Sequence, residues 1–374
     1  MIAVKFIDTL NDAVGRALYS SADVTTGSTH VRDSINNRRV MSIILLALLP
    51  CVFMALWNSG YQENLTLNQM LAAGQIESLP SLSDYTSICA NFTKGLWIFL
   101  PMLLVTIIVQ AIWVGVFAAM RDRKIGSGFL VTAVLIVLLM PPTAPLWQVA
   151  IATSFGVVIG REIFGGNGMN FLSPALVSWV FMYMAYPQSI SGDAVWTAVD
   201  GYTGATPLAM ALSDGTSSLV AQGITWQSAF LGTIPGSMGE TSTLACIFGA
   251  AILLITGIAS WRIIVAILIG VVAFSSTLAA FSPDAMAPHW HLVLGGLAFG
   301  VIFLATDHSA AAMTVKGQWI SGILIGLLIV TVRVFNPMMP ESVGMIILFG
   351  SVFSPLVDRL VVNAHIKKRK LRHV

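Results

Sequence analysis

Apolar stretches of about 20 residues recur between Met41 and Val362, the length that crosses a bilayer core as a helix. No other feature constrains the fold as tightly. A segment in hydrocarbon must satisfy its own backbone donors and acceptors, which repeated runs of this length do as helices. Only 10% of the 374 residues are charged and 56% are hydrophobic, whereas soluble domains carry about 25% charged residues. The expected class is an all-α polytopic membrane protein. Ten spans are expected, at approximately 38–57, 95–119, 128–145, 146–160, 172–186, 243–258, 261–281, 289–306, 318–333 and 343–362. The first begins after some forty polar or mixed residues, so no cleavable signal peptide is expected. Within those residues Val4, Ile7, Leu10, Val14 and Leu18 recur at three- and four-residue spacing, an amphipathic pattern suited to the membrane surface.

The basic residues orient this topology. With the N-terminus inside, 17 of the 19 Lys and Arg fall in cytoplasmic segments, and only Lys94 and Arg333 fall outside. The positive-inside rule then makes both termini cytoplasmic, as an even number of spans requires. The chain divides into a cytoplasmic N-terminal segment (1–37), a five-helix half (38–186), an outer loop (187–242), a second five-helix half (243–362) and a basic cytoplasmic tail (363–374). The outer loop contains Asp193, Asp200, Asp214 and Glu240 but neither Lys nor Arg. Interruptions occur in both halves: Met140 to Pro145 and Phe164 to Asn170 in the first, Thr306 to Ser309 and Phe335 to Pro337 in the second. Paired breaks of this kind mark inverted repeats. The expected architecture is 5+5, similar to urea transporters, an analogy that carries no substrate. The net charge of +2 gives no reason to expect a nucleic-acid partner.

In the outer loop, Asp200-Gly201-Tyr202-Thr203-Gly204-Ala205-Thr206-Pro207-Leu208 presents a threonine hydroxyl among small residues. Little side-chain bulk surrounds it in sequence, so an external group is expected to reach it. The bland reading of Gly-Ala-Thr is a small-residue turn. The run resembles the [Ser/Thr]-Gly-Ala-Thr signature at which FMN is joined by phosphoester to a membrane subunit of the Na+-translocating NADH:quinone oxidoreductase.

The resemblance to the B-type membrane subunits of that enzyme extends along the chain. It is carried by His30 to Ser34, Pro141 to Gln148, Phe164 to Leu176, Ile190 to Asp193, Ile234 to Glu240, His289 to Gly296 and Ala305 to Asp307. The D-type subunit of the Rnf complex is similar but shorter. The resemblance implies a bacterial inner-membrane redox subunit with covalent FMN on Thr206, facing the periplasm. It also implies a second, non-covalent riboflavin, quinone as substrate, coupling to Na+ export, and partner subunits that oxidise NADH or carry FMN or iron–sulfur. No Walker sequence is present and no G-x-G-x-x-G follows a strand, so NADH is expected to bind elsewhere. Two alternatives stay open: a flavin-bearing D-type Rnf subunit, and a cofactor-free channel of the same architecture.

Asn170 offers amide donors and an acceptor to a flavin edge, or it caps a helix in a packing turn. Asp307, with Thr306 and Ser309, offers oxygen ligands for Na+. Acidic residues at membrane depth are functional candidates by default, and Glu162 and Asp358 are read as carboxylates reaching the interface. His289 and His291 lack a matching ligand set and are read as interfacial hydrogen-bonding groups beside Trp290. Cys51, Cys89 and Cys246 contain no C-x-x-C pair and are read as buried small hydrophobes. One departure stands out. The family's quinone pocket has a glycine pair on the second span, where this chain has Gln110-Ala111.

Overall fold

Small residues let the longest helices of this chain approach backbone to backbone. The computed structural model describes residues 36–78, 80, 83–121, 128–166, 168–282, 286–307, 309–336 and 339–371. The amphipathic stretch from Val4 to Leu18, His30 to Ser34, Arg123, Lys124, Asn167, His308 and Pro337 lie outside the described residues. Among the described residues there are helices and loops but no strands. α1 (Asn37–Ala72) packs on α2 (Ile88–Arg121). A Cβ on Gly60 would collide with the Asn91 carbonyl, and one on Gly95 with the Leu56 carbonyl. α10 (Trp261–Phe281) and α13 (Val315–Phe335) meet the same way, through Gly270, Gly322 and Gly326. Without a hydrophobic drive between helices in lipid, such close approach supplies the contact energy.

Helix occurs in each of the ten expected segments. Five helices are long and apolar enough to cross a membrane: α1, α2, α10, α13 and α14 (Val343–Lys370). The others are shorter than expected: α3 (Phe129–Leu139), α4 (Leu146–Val157), α5 (Pro174–Ala185) and α9 (Thr243–Ile255). α4 runs on into a π-helical turn, Val158–Glu162. The segment expected at 289–306 is broken. α11 (Pro288–Val293) stops at Leu294, Gly295 turns with φ +69, and α12 (Leu297–Phe299) resumes and widens into a second π-helical turn, Gly300–Leu304. Each half therefore holds a short helix, a break, a helix ending in a π turn, and a second break. π turns concentrate at functional sites.

α1 and α2 exceed their expected spans. At 36 residues, α1 is roughly 54 Å long, well beyond a hydrocarbon core of about 30 Å. Polar contacts hold its extension: Asn64 Nδ2 donates to Asn91 Oδ1 at 2.8 Å, and Lys94 pairs with Glu63 at 2.5 Å. The main core lies between the helices, around Leu48, Ile136, Leu176, Phe299 and Ile329. Leu46, Leu49, Phe53, Trp97, Ile108 and Phe349 remain exposed, an apolar exterior that lipid would cover.

The loop over 187–242, expected to lie outside, is a folded cap. α6 (Pro207–Ser213), α7 (Thr216–Ala221) and α8 (Trp226–Leu231) close over a second core of Leu208, Leu219, Ile234, Trp290 and Leu294. Two cysteines also meet: the Sγ atoms of Cys51 on α1 and Cys246 on α9 are buried 3.8 Å apart. Cys89 is exposed at the start of α2, against the expectation that all three thiols are buried.

Candidate functional site

Thr206 is the N-cap of α6. Its backbone is extended, with φ −66 and ψ 151, and Pro207 follows at the first helical position, where a proline loses no hydrogen bond. The Ala209 amide donates to Thr206 Oγ1 at 3.2 Å, the usual capping contact. Upstream, Gly201 turns the chain with φ +79, and the Gly204 amide donates to the Asp193 carbonyl at 2.8 Å. The hydroxyl was expected to stand open among small residues. It is instead only 4% exposed, because α6 turns Leu208 into the cap's core and draws Thr206 down with it.

Thr206 lines a pocket of about 310 Å³, open mouth included, with Ser237, Glu240, Thr241, Gly295 and Glu341 among its walls. The enclosed part is only about 20 Å³, room for about one water rather than for a ligand. Four chain segments build it: Thr206 to Leu208, Ile234 to Thr241, Gly295 and Glu341. The loop before α9 is pinned by Gly239 N–H to the Leu138 carbonyl (2.7 Å), Met238 N–H to the Met140 carbonyl (3.2 Å) and Asn58 Nδ2 to the Ile234 carbonyl (2.9 Å). The α11–α12 break brings Gly295 and Gly296 against it. A Cβ on Gly296 would collide with the Glu240 carboxyl, so this glycine admits the carboxylate; Gly300, one turn on, faces Val343 and Ile347 on α14.

Behind the pocket lies Arg333, with no exposed surface. Its guanidinium donates to the carbonyls of His291 (3.0 Å) and Leu294 (3.1 Å), while Nε has no partner. The turn after α11 thus uses a buried cation to satisfy its orphan carbonyls. Burial pushes the Glu240 carboxyl up to about 7, opposed by Ser237 and by the Arg333 charge. Glu341 is also raised, first by burial and then by Glu240, with Arg333 and the Thr206 hydroxyl acting in the other direction. Both carboxyls keep partial access to solvent. Sequence reading singled out Glu240 only as part of a motif, and it missed Glu341 and the role of Arg333. The clue was present in Arg333 itself, one of two basic residues that the expected topology leaves outside the cytoplasmic segments.

A second cluster forms where the π turns end. Asn170 Nδ2 donates to the Leu172 carbonyl (2.8 Å) and to Ser309 Oγ (3.3 Å). Asp307 Oδ1 in turn accepts from the Ser309 amide (3.1 Å) and hydroxyl (3.0 Å). The structure therefore joins Asn170 and Asp307, which sequence reading treated separately. Thr306 donates to the Ile302 carbonyl at 2.6 Å. Glu162 is not a carboxylate reaching to the interface. It is buried and bridged by Arg121 and Arg161, each at 3.2 Å. Asp358 caps α13, accepting from the Met313 amide (2.7 Å), the Thr314 amide (3.0 Å) and the Thr314 hydroxyl (2.5 Å). His291 is 1% exposed rather than interfacial. Gln110 on α2 is wholly buried, and neither amide atom has a partner.

The fold and pocket define a polytopic helical membrane protein with a capped, charge-bearing threonine site at one end. The NQR2, RnfD, RnfE family profile matches residues 24–367, and the chain belongs to this family. It is 47% identical to the B subunit of the Na(+)-translocating NADH-quinone reductase of Ectopseudomonas mendocina (strain ymp) over 379 residues, covering 98% of this chain and 94% of the relative. The B subunit from Azotobacter vinelandii is 47% identical over 378 residues, with the same coverage. That of Chromohalobacter salexigens is 46% identical over 374 residues, covering 97% and 91%.

Proposed function

We propose that this chain is the B-type membrane subunit of a Na+-translocating NADH:quinone oxidoreductase, with FMN in phosphoester linkage on Thr206. In this reading it passes electrons across the membrane toward a quinone, coupled to Na+ export. The observation that carries the reading is the position of Thr206: the last residue of Thr203-Gly204-Ala205-Thr206 caps a helix inside a pocket backed by a buried, incompletely paired Arg333. The names of its relatives support the same assignment.

The residues fit a phosphoester. Thr206 Oγ supplies the ester oxygen. Arg333 supplies a fixed positive charge behind Gly295, which balances an anion in a site where water is scarce. The enclosed space, about 20 Å³, is too small for a flavin, which leaves the ring system to lie beyond the mouth. When bound, the flavin supplies one- and two-electron exchange. The chain's own part is to hold the linkage rigidly, through the α6 cap and the loop pinned to α3.

Further parts of the reading concern the rest of the molecule. The paired short-helix, break and π-turn sequences in the two halves support an inverted 5+5 duplication of ten spans, as in urea transporters. Both termini are then cytoplasmic and Thr206 periplasmic. The Asn170–Ser309–Asp307 cluster is the candidate riboflavin contact and Na+ site. It lies where α13 begins, and Arg333 marks where that helix ends. Twenty-one residues separate these ends, roughly 31 Å, about one bilayer core. The Gln110-Ala111 segment, with its orphaned amide, is the candidate contact for quinone.

In-gel fluorescence of the denatured subunit tests the flavin. The wild-type band is expected to fluoresce after SDS, and Thr206→Ala is expected to be dark. Thr206→Ser keeps both the hydroxyl and the helix cap and is expected to retain flavin. Because Thr206 is a buried cap, Thr206→Ala also costs about 0.5–2 kcal/mol of stability, so the serine variant separates folding from attachment. A fluorescent Thr206→Ala band contradicts the assignment.

A further inference from the structure

We propose that the pocket beside Thr206 binds one small monovalent cation, sodium, between the carboxylates of Glu240 and Glu341 and the hydroxyl of Thr241. The inference goes beyond the flavin assignment and does not rest on it. Glu240, Thr241 and Glu341 line one space, whose enclosed part of about 20 Å³ holds a single water-sized occupant. Thr241 is 4% exposed, and its hydroxyl has no hydrogen-bond partner. A buried hydroxyl left without a partner is costly. On this wall it marks an occupant that supplies the missing contact, and Ser237 offers a second hydroxyl to the same space.

Charge selects a cation over water. Two carboxyls face the space, while Arg333 is not among its walls. Gly295 stands between, since a Cβ there would lie 3.0 Å from Arg333 Nη2. The guanidinium is directed instead at the His291 and Leu294 carbonyls. Among the described residues the ion pairs are Lys94–Glu63, Arg121–Glu162 and Arg161–Glu162, so neither pocket carboxyl belongs to one. Two ionised carboxylates against one guanidinium leave a single negative charge. A monovalent ion cancels it, and a divalent ion overshoots. Magnesium also keeps several of its waters, for which the space has no room. Carboxylates present a strong field, which favours the smaller sodium ion over potassium.

The site would act as a clamp. Glu240 and Thr241 close the loop before α9, and Glu341 lies just before α14. Gly296, in the α11–α12 break, leaves the space that the Glu240 carboxyl occupies. The same loop carries Ile234 into the core of the cap. A cation here turns the repulsion of two like charges into a shared ligand set, and so ties the cap to the helix break and to the start of α14. Both carboxyls keep partial access to solvent, which gives the ion a way in. A phosphoester on Thr206 adds negative charge to the same walls, so a flavin there tightens the cation rather than displacing it.

Hydrogen exchange read by mass spectrometry on the intact purified complex tests the site. The segments followed are Thr206 to Ser213 and Ile234 to Ser242, at pH 8 in sodium, potassium or choline chloride of equal ionic strength. Sodium is expected to slow exchange in both segments in a saturable way, potassium less so, and choline not at all. Thr241→Val keeps the shape but removes the oxygen, and is expected to raise the half-saturating sodium concentration at least about tenfold. Glu341→Gln removes a charge and is expected to raise it further, whereas Thr241→Ser keeps the hydroxyl and is expected to stay close to wild type. Equal exchange of the wild-type segments in sodium and choline overturns the proposal, whether or not the variants assemble. Sodium protection confined to the segment around Asn170 and Asp307 overturns it too, as does an unchanged midpoint in both Thr241→Val and Glu341→Gln. The readout contains no flavin signal, so a negative result here leaves the assignment of Thr206 standing, and an unmodified Thr206 leaves the cation site standing.

Discussion

At the scale of single residues, the pocket is a balance of two carboxyls against one guanidinium. Glu240 illustrates the consequence. Burial holds its carboxyl at about 7, against an ordinary value of 4.5. Between those values the folded protein keeps a proton that the unfolded chain releases. Its contribution to stability is therefore complete below pH 4.5, declines as pH rises to 7, and levels off above that. The total decline is at most roughly 3 kcal/mol, and water entering through the pocket mouth reduces it. Glu240→Gln is expected to flatten this part of the pH dependence and raise the melting temperature in detergent at pH 8. Equal melting curves for wild type and variant at pH 5 and pH 8 contradict the account. Glu240 was visible in sequence as a motif residue, but its partnership with Glu341 and Arg333 was not. About 100 residues separate these groups along the chain, and only the α11–α12 break and the ends of α13 and α14 bring them together.

At the scale of elements, the breaks matter more than the helices. Pro141-Pro142 and Gly165-Gly166 announced two of them in sequence, and each follows a helix end, whereas Gly295-Gly296 breaks a segment expected to be one continuous span. Apolar periodicity located α10 residue for residue, because a uniform 21-residue run leaves no competing signal. It failed for α1, whose last turns are polar and held by α2 rather than by lipid, and for the 289–306 segment, where Arg333 satisfies the carbonyls that a continuous helix would have paired internally. Thr206 was misjudged for a related reason. Small neighbours in sequence say nothing about the core beneath the cap, where Leu208, two residues on, packs with Leu219, Ile234 and Trp290. The break after the second π turn carries its own prediction. Asp307 sits in a hydrogen-bonded cluster with Ser309 and Asn170, so Asp307→Asn is expected to raise the Na+ concentration for half-maximal quinone reduction while leaving covalent flavin intact. Unchanged Na+ dependence with loss of the non-covalent flavin would instead make Asp307 a cofactor-orienting residue.

At the scale of the whole molecule, the account requires two chemically distinct ends separated by a bilayer. One holds Thr206, Glu240, Glu341 and Arg333; the other holds Asn170 and Asp307, with the basic end of α14 running on to Lys370. Composition made the membrane class legible at once, and the basic-residue count suggested an orientation that can be checked directly. Cysteines placed at the exposed cap positions Ser213 or Gln222 are expected to react with a membrane-impermeant thiol reagent on intact cells, and one at Lys368 is expected not to; the reverse pattern overturns the orientation. The central claim, that Thr206 carries the flavin, is tested most directly by peptide mapping of the native complex. The account predicts that the peptide containing Thr206 is heavier by FMN less one water, with fragmentation assigning the added mass to Thr206. An unmodified Thr206 in a flavin-replete complex, or the same mass on Thr203, would contradict it.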